Sequence, residues 1–566
     1  MNGVAEASIG PGSGRVALEA LAASGLAFLL FILPVSGRPL TEPREGRLAR
    51  GAQEMLDRGD WLVPYLNGAP RIEKPPLGYW AIALCAELFN GGHVTTFLAL
   101  LPTAGSSALL VGLVFFWLAE ACPGDGEAQR RARRYAGGFG ALFLASLPVF
   151  WKEARVCCLD AHLALFCALA AWSWLRWAER GARWALPLFY AALALGVLTK
   201  AHVAPLVVLP PVLLDAVLRR READREARRG AALWHAAGAG AALVLILVPG
   251  LAFIQRSGMT WADIMEEGGL DRIKLDGHVH HYGSVVFYLK LLGEKCVPWL
   301  LLAPAAFCAA GRPEAPLDRA RRRFWFAWFG INFAVWSLIP AKQAHYALPW
   351  IPPLALILGE SCARVFAGEA PAPRWLRRYA AGISGLACLL ALILPWALRF
   401  KYELSSAAWS LAGAAAACFG LGAAALLRAR IRTLLAAWCG GGAALLFAVV
   451  FTIEAQELLE DSPLPFADEV QAAVPDSETL YACQAAGTLD PHVLFYLEEN
   501  VKTIDDENLP ELLEETQAYV LVHGRVLRKI PEAAYVKLLT SSPDYADHRG
   551  LQYLIRGTGS GKIQAR

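Results

Sequence analysis

The residues able to do chemistry in this chain recur at one kind of place, the polar ends of apolar runs. Glu73-Lys74-Pro75-Pro76 sets a charged pair ahead of two prolines that hold the backbone extended. Asp160 opens an apolar run in ARVCCLDAHLALF, and Lys200 closes another in LTKAHV. Lys342 and Tyr346 stand together in PAKQAHYALPW. Upstream, Glu45 and Arg47 fall in the first turn of an expected helix that starts at Pro43; downstream, the segment 255–292 carries Arg272, His278, His280 and His281. A compact ammonium suits a phosphate met as a point charge, and a guanidinium suits bidentate capture. A carboxylate in reach of a hydroxyl can take its proton. Three lysines and an arginine around one cavity would therefore suit a phosphate-bearing lipid. Each residue has a plainer reading beside this one: boundary lysines and arginines snorkel, and an outer carboxylate is simply solvated.

The elements that must position these residues follow from composition. Of 566 residues, 56% are apolar and 18% charged, and the mean hydropathy is +0.39. A soluble protein has about 25% charged residues, so an ordinary soluble enzyme is excluded. The net charge of +3, from 53 basic and 50 acidic residues, is too balanced for a nucleic-acid binder. Most of the 12 cysteines lie in apolar runs and none forms a CxxC pair, so they read as small packing residues. Apolar runs of bilayer-spanning length recur over the first 455 residues, and thirteen spans are expected. They lie near 17–36, 94–119, 135–151, 159–177, 184–199, 201–218, 233–254, 293–311, 324–340, 346–366, 380–398, 407–427 and 433–453. With the N-terminus inside, the six inner loops hold 25 arginines and the four short outer loops 6 basic residues, which is the sorting that orients a membrane protein. The first span is expected to stay as an anchor.

This orientation, deduced from the inner arginines, puts every residue of the opening paragraph on the outer side. Arginine carries the inner charge: the chain has 41 arginines and 12 lysines, and none of the lysines falls in an inner loop. Lysine in EKPP, LTK and PAKQAHY therefore reads as a choice of residue. Two outer loops are long, 37–93 and 255–292. In the first, Leu48, Ala52, Met55 and Leu56 mark one face of an amphipathic helix that stops at Gly59 and would lie on the membrane surface. An odd number of spans puts residues 464–566 outside, as a small α/β domain. There VLFYL, QAYVLV and LQYLI read as strands and 465–474 and 506–516 as helices. With no convergent polar site visible, this domain reads as a lid or docking module.

Residues 40–360 resemble a known group. REGRLARGAQEMLDRGDWLVPYLNG followed by EKPPLGYW is similar to the first outer loop of the bacterial aminoarabinose (4-amino-4-deoxy-L-arabinose) lipid A transferases and related protein mannosyltransferases. The likeness continues through Asp160, Lys200, HHYGSVVFYL and SLIPAKQAHYALPWIPP. The group consists of integral-membrane GT-C glycosyltransferases. The resemblance implies a GT-C-type helical membrane fold in the bacterial inner membrane, with a transmembrane domain over 1–455 and a periplasmic domain over 464–566. In that family the surface helix opens with Asp-Glu-x-Arg. Counting back from Gly59, this chain has Arg44 where the family has Asp, while Glu45 and Arg47 are kept.

The activity so implied moves a sugar from a polyprenyl phosphate to a glycolipid or protein acceptor on the outer face, without a nucleotide and without nucleic acid. The departing phosphate would need stabilisation, for which the cations Arg47, Lys74, Lys200, Arg272 and Lys342 and the hydroxyl of Tyr346 are the candidates, with Glu73 and His281 as further substrate contacts. The acceptor would need a base, for which Glu45 and Asp160 are the candidates. A divalent ion on Glu73 and the three histidines is left open, because HxHH lacks the spacing of a defined metal motif. The alternative class is a transporter or lipid flippase. Such folds carry charge near the midplane, whereas here the polar residues cluster at the outer edge.

Overall fold

The computed structural model describes residues 13–35, 37–71, 74–121, 127–220, 225–258, 260, 283–296, 299–300, 304, 316–367, 374–427, 431–449, 456, 462–475, 477–483, 491–497, 501–541 and 551–559. Its contacts divide the chain into two compact units. The first holds Met1–Pro34, Ile72–Gly78 and Thr103–Ile453; the second holds Val35–Arg71, Tyr79–Pro102 and Glu454–Arg566. The first outer loop therefore divides: its EKPP block belongs with the spans, and its surface helix with the C-terminal residues.

Among the described residues up to 449 the α-helices are α1 (Ser13–Ile32), α2 (Pro43–Arg58), α3 (Leu77–Asn90), α4 (Thr96–Ala121), α5 (Glu127–Ser146), α6 (Pro148–Glu153), α7 (Asp160–Arg180), α8 (Ala185–Lys200), α9 (Val203–Arg220) and α10 (Arg225–Ser257). They continue with α11 (Phe287–Lys295), α12 (Pro316–Leu338), α13 (Pro352–Ala367), α14 (Arg374–Leu398), α15 (Ser406–Leu427) and α16 (Ile431–Val449). Helices stand at twelve of the thirteen expected spans, and the remaining one, 293–311, lies largely outside the described residues. By length and composition five helices among the described residues are apolar enough to cross a membrane: Gly14–Val35, Thr96–Ala121, Ala232–Ser257, Arg377–Leu398 and Ser406–Ala425. Helix α3 was not expected, because its apolar run follows two prolines and a turn and reads as loop. In the first unit, α5 packs on α13 at a crossing where a Cβ on Gly359 would lie 2.8 Å from Gly140 Cα, so only small residues allow this approach. Arginines tie the helix ends together: Arg176 pairs with Glu120 at 2.6 Å and Arg321 with Glu179 at 2.8 Å, linking α4, α7 and α12.

In the second unit, α2 begins with a capping box in which Glu42 and Glu45 each satisfy the other's backbone, and ends at Gly59 in the left-handed conformation (φ +63°). Leu48, Ala52 and Met55 are buried as their spacing requires. Glu54 accepts from the backbone N–H groups of Asn67 and Gly68 at 2.7 and 3.0 Å, which pins the turn between β1 (Tyr65–Leu66) and β2 (Ala69–Pro70). Both turn residues have positive φ, the requirement of a two-residue hairpin turn.

The C-terminal residues form α17 (Leu464–Ala473), β3 (Leu480–Cys483), α18 (Pro491–Tyr496), β4 (Val501–Ile504), α19 (Leu509–Glu515), β5 (Tyr519–His523), α20 (Gly524–Leu527), β6 (Tyr535–Thr540) and β7 (Gln552–Gly557). The sheet order is β4-β3-β5-β7-β6, with β4, β3 and β5 parallel and β7 and β6 antiparallel. Tyr519 and Leu521 face α17 and α18, while Val520 and Val522 face α19 and α20, so the central strand is buried on both sides. The expected strands QAYVLV and LQYLI and both expected helices are present. VLFYL is a correction: it lies in α18 and just beyond it, because Val493, Leu494 and Leu497 bury one side against the sheet, a helical spacing that a short apolar run does not reveal. Helix α18 packs on α2, and the Tyr496 hydroxyl accepts from the Leu40 N–H at 2.7 Å.

Candidate active site

In the first unit the ends of two helices bring together residues 40 apart in the chain. Asp160 is the first residue of α7 and Lys200 the last of α8. A carboxylate is favoured at a helix N-terminus and an ammonium at a C-terminus, so the two macrodipoles support the same pair. Lys200 Nζ donates to Asp160 Oδ1 at 2.7 Å, and the two side chains are 11% and 6% exposed. Tyr346, in the 3-10 helix Ala344–Trp350, lays its ring 4.7 Å from Lys200 Nζ. His345 Nε2 lies 3.9 Å from Asp160 Oδ2, and its ring meets Tyr346 edge-on at 4.7 Å. Of the three ammonium donors one goes to Asp160, and among the described residues the other two are available to an incoming oxygen.

The backbone around this pair is held from both sides. Thr103 Oγ1 bonds the Cys158 carbonyl and N–H, each at 3.2 Å, fixing the turn into α7. A Cβ on Gly78 would sit 2.0 Å from Leu159 Cδ2, so the start of α3 packs closely on the residue before Asp160, and Lys74, three residues before that helix, is half-buried. After Lys200 the chain turns through Ala201 at φ +43° and ψ −123°, a conformation that glycine adopts freely and alanine resists. Ala201→Gly should raise the thermal unfolding midpoint in detergent, with a gain on the order of 1 kcal/mol once the added freedom of the unfolded chain is subtracted. A lowered midpoint would show that the turn is not strained.

Lys342 stands apart from this pair. Its ammonium donates to the carbonyls of Trp336, Ser337 and Ile339 at 3.2, 2.8 and 2.5 Å and so caps the end of α12. Its nitrogen is 5.7 Å from the Tyr288 ring, whose hydroxyl donates to the Gln343 carbonyl at 3.3 Å. Burial lowers the pKa of Lys342 and raises that of Tyr288. With all three donors engaged, Lys342 shapes the loop that presents His345 and Tyr346.

Glu45 belongs to the second unit and is fully buried. Arg38 Nη2 donates to both carboxylate oxygens at 2.6 Å, and the Thr41 and Glu42 N–H groups donate to Oε2 at 2.9 Å each. These bonds occupy the carboxylate in holding the entry to α2. Arg47 is half-buried on the same helix. Glu73, Arg272 and His281, with the metal-ligand candidates His278 and His280, lie outside the described residues. Sequence reasoning missed three residues. His345 was signalled only by its place beside Tyr346, and Arg38 and Tyr496 carried no signal, since their partners are set by packing.

Residues 73–251, which include Asp160 and Lys200, match the model of the dolichyl-phosphate-mannose-protein mannosyltransferase family. The chain is 27% identical over 370 residues to an undecaprenyl phosphate-alpha-4-amino-4-deoxy-L-arabinose arabinosyl transferase of Serratia proteamaculans, covering 64% of this chain and 63% of that one. It is 30% identical over 345 residues to a protein of the same name from Sodalis glossinidius, covering 59% and 58%. The chain thus aligns with slightly less than two thirds of the length of these relatives. Among solved structures it is similar to ArnT from Cupriavidus metallidurans bound to undecaprenyl phosphate, with a TM-score of 0.70 at 19% identity over 97% of this chain and 99% of that one. The resemblance read from residues 40–360 is borne out, and the fold is that of the GT-C membrane enzymes.

Proposed function

We propose that this chain, a member of the GT-C group of integral-membrane glycosyltransferases, moves a sugar from a polyprenyl phosphate to an acceptor on the outer face of the bacterial inner membrane. The N-terminus is cytoplasmic, residues 1–455 form the membrane domain, and residues 464–566 face the periplasm. The observation that carries this reading is the Asp160–Lys200 pair seated on Tyr346, within the segment that matches the mannosyltransferase family. The relatives carry undecaprenyl phosphate and 4-amino-4-deoxy-L-arabinose in their names, so that compound is the first donor to test, with an outer-leaflet glycolipid as first acceptor and a protein as second.

The bond from the anomeric carbon to the phosphate oxygen breaks as the acceptor oxygen attacks that carbon. Negative charge grows on the departing polyprenyl phosphate, and Lys200, with Lys74 from the adjoining EKPP segment, stabilises it. Arg47 and Arg272 are further candidates for the same oxygens. Where the acceptor is a hydroxyl, Asp160 takes its proton; where it is a phosphate, no proton needs to move. The engagement of Glu45 by Arg38 leaves Asp160 as the favoured carboxylate for this task.

Purified protein in liposomes, given the donor and acceptor, is expected to release polyprenyl phosphate. Lys200→Ala should reduce the rate by about 10²–10³. Release undiminished in that variant would refute the site, and no release with any polyprenyl-phosphate sugar would refute the activity and favour the transporter reading.

A further inference from the structure

Two buried polar side chains converge on the backbone carbonyl of Cys158, two residues before Asp160. This carbonyl lies ahead of the first hydrogen bond of α7, which runs from the Leu163 N–H to the Leu159 carbonyl at 3.0 Å. The Thr103 hydroxyl donates to it at 3.2 Å and accepts from the N–H of the same residue. His162 Nδ1 lies 3.2 Å from the same oxygen. A carbonyl oxygen can only accept, so Nδ1 carries a proton. The oxygen thus holds two donors, one from α4 and one from the first turn of α7 itself. Helix α4 is a firm anchor for the first, since further along Phe116 meets Trp172 edge-on at 6.0 Å and Glu120 pairs with Arg176 at 2.6 Å.

The setting makes this use of a histidine costly. His162 is 6% exposed, Thr103 and Cys158 are also buried, and Cys158 packs with the apolar Val156 and Ala161. His162 Nε2 is buried too and has no hydrogen-bond partner among the described residues. With the proton on Nδ1, the neutral ring leaves Nε2 as an acceptor with nothing to accept, and its desolvation is not offset. A leucine would fill an apolar span without that cost. What the imidazole adds at this position is one directed bond to the backbone that leads into Asp160.

We propose that His162 is a positioning residue for Asp160: its bond to the Cys158 carbonyl, set against that of Thr103 on α4, holds the first turn of α7 so that the carboxylate keeps its place beside Lys200 and the acceptor. This rests on the sugar-transfer reading and adds to it a residue that touches neither donor nor acceptor. A displacement of about 1 Å at a reacting group can cost about 10²-fold in rate. Where the acceptor is a phosphate no proton moves, and the same displacement matters less.

The test is single-turnover release of polyprenyl phosphate by the full chain in liposomes, with a hydroxyl acceptor and with a phosphate acceptor. His162→Leu should slow the hydroxyl reaction about tenfold or more and the phosphate reaction less than about threefold. His162→Asn, whose amide N–H can stand where the Nδ1–H stands, should restore most of the rate. In the Asp160→Asn background His162→Leu should cause no further loss, because it acts through the carboxylate already removed. Equal losses with the two acceptors, an additive loss in that background, or His162→Asn as slow as His162→Leu would each overturn the proposal. If His162→Leu does not fold, Thr103→Val removes the other bond to the same carbonyl and carries the same expectations, with Thr103→Ser as the variant that restores the rate. Nitrogen NMR of histidine-labelled protein gives a readout free of turnover. It should show a neutral ring protonated at Nδ1 whose signals vanish in His162→Asn. A His162 ring protonated at Nε2 alone would overturn the proposal even in an active enzyme, whereas the expected ring in a protein inactive with every donor would refute the sugar-transfer reading and leave the bond in place.

Discussion

Asp160→Asn should reduce the release of polyprenyl phosphate by about 10²–10⁴ while leaving the protein folded, the loss expected when a positioned proton acceptor is removed. Asparagine keeps the size of the side chain and one oxygen that can accept from Lys200, so the ends of α7 and α8 stay joined. What disappears is the negative charge, held by the N-terminus of α7 and by an ammonium 2.7 Å away. Lys200 is then left with an uncompensated charge at a site only 11% exposed, and its two remaining donors are no longer aimed by a fixed partner. The measurement is single-turnover release with two acceptors, one presenting a hydroxyl and one a phosphate. The hydroxyl acceptor should suffer the larger loss, because only it must give up a proton. Turnover within about threefold of the unmodified enzyme for both acceptors would remove Asp160 from the chemistry, since a catalytic proton transfer contributes about 10² or more.

Arg38→Ala should lower stability by about 3–5 kcal/mol, the usual cost of leaving one member of a buried ion pair without its partner. The side chains of Arg38 and Glu45 are 5% and 0% exposed, and the guanidinium makes both of the carboxylate's charge-assisted contacts at 2.6 Å. Glu45→Gln should lower the unfolding midpoint in the same direction, because it leaves the guanidinium unpaired and weakens the capping of α2. Arg38→Met/Glu45→Leu should recover much of the loss, since replacing both charges with apolar groups of similar volume removes the cost of burying either one. Scanning fluorimetry in detergent on the four proteins compares each single loss with the paired apolar replacement. If Glu45 were instead the proton acceptor, Glu45→Gln would lose turnover with its midpoint unchanged, and that outcome would reverse the assignment made from its hydrogen bonds.

The surface helix shows how far local sequence reaches. Pro43 at the first helical position, Glu45 three residues after Glu42, the spacing of Leu48, Ala52 and Met55, and Gly59 as the stop are local signals, and the structure follows each of them. That the helix packs on α18, at the far end of the chain, rests on contacts no local pattern encodes. The C-terminal sheet divides in the same way. The central strand Tyr519–His523 is a β-rich apolar run, whereas Leu480–Cys483 and Val501–Ile504 are too short to stand out, and VLFYL is apolar enough for either state.

The sequence by itself determined the helical membrane-protein architecture, the sorting of arginines and lysines into different loops, and the candidacy of Asp160, Lys200 and the KxxxY block. These rest on apolar run length and on charges near run ends, which are one-dimensional quantities. Which lysine is available was decided only by the tertiary structure. Lys200 meets Asp160 because the end of α8 comes beside the start of α7, while Lys342 turns its three donors on the carbonyls of α12. A span that is apolar on every side carries no periodic mark of which face meets which neighbour. Its rotation is set by packing, and with it which lysine meets a carboxylate and which meets backbone carbonyls.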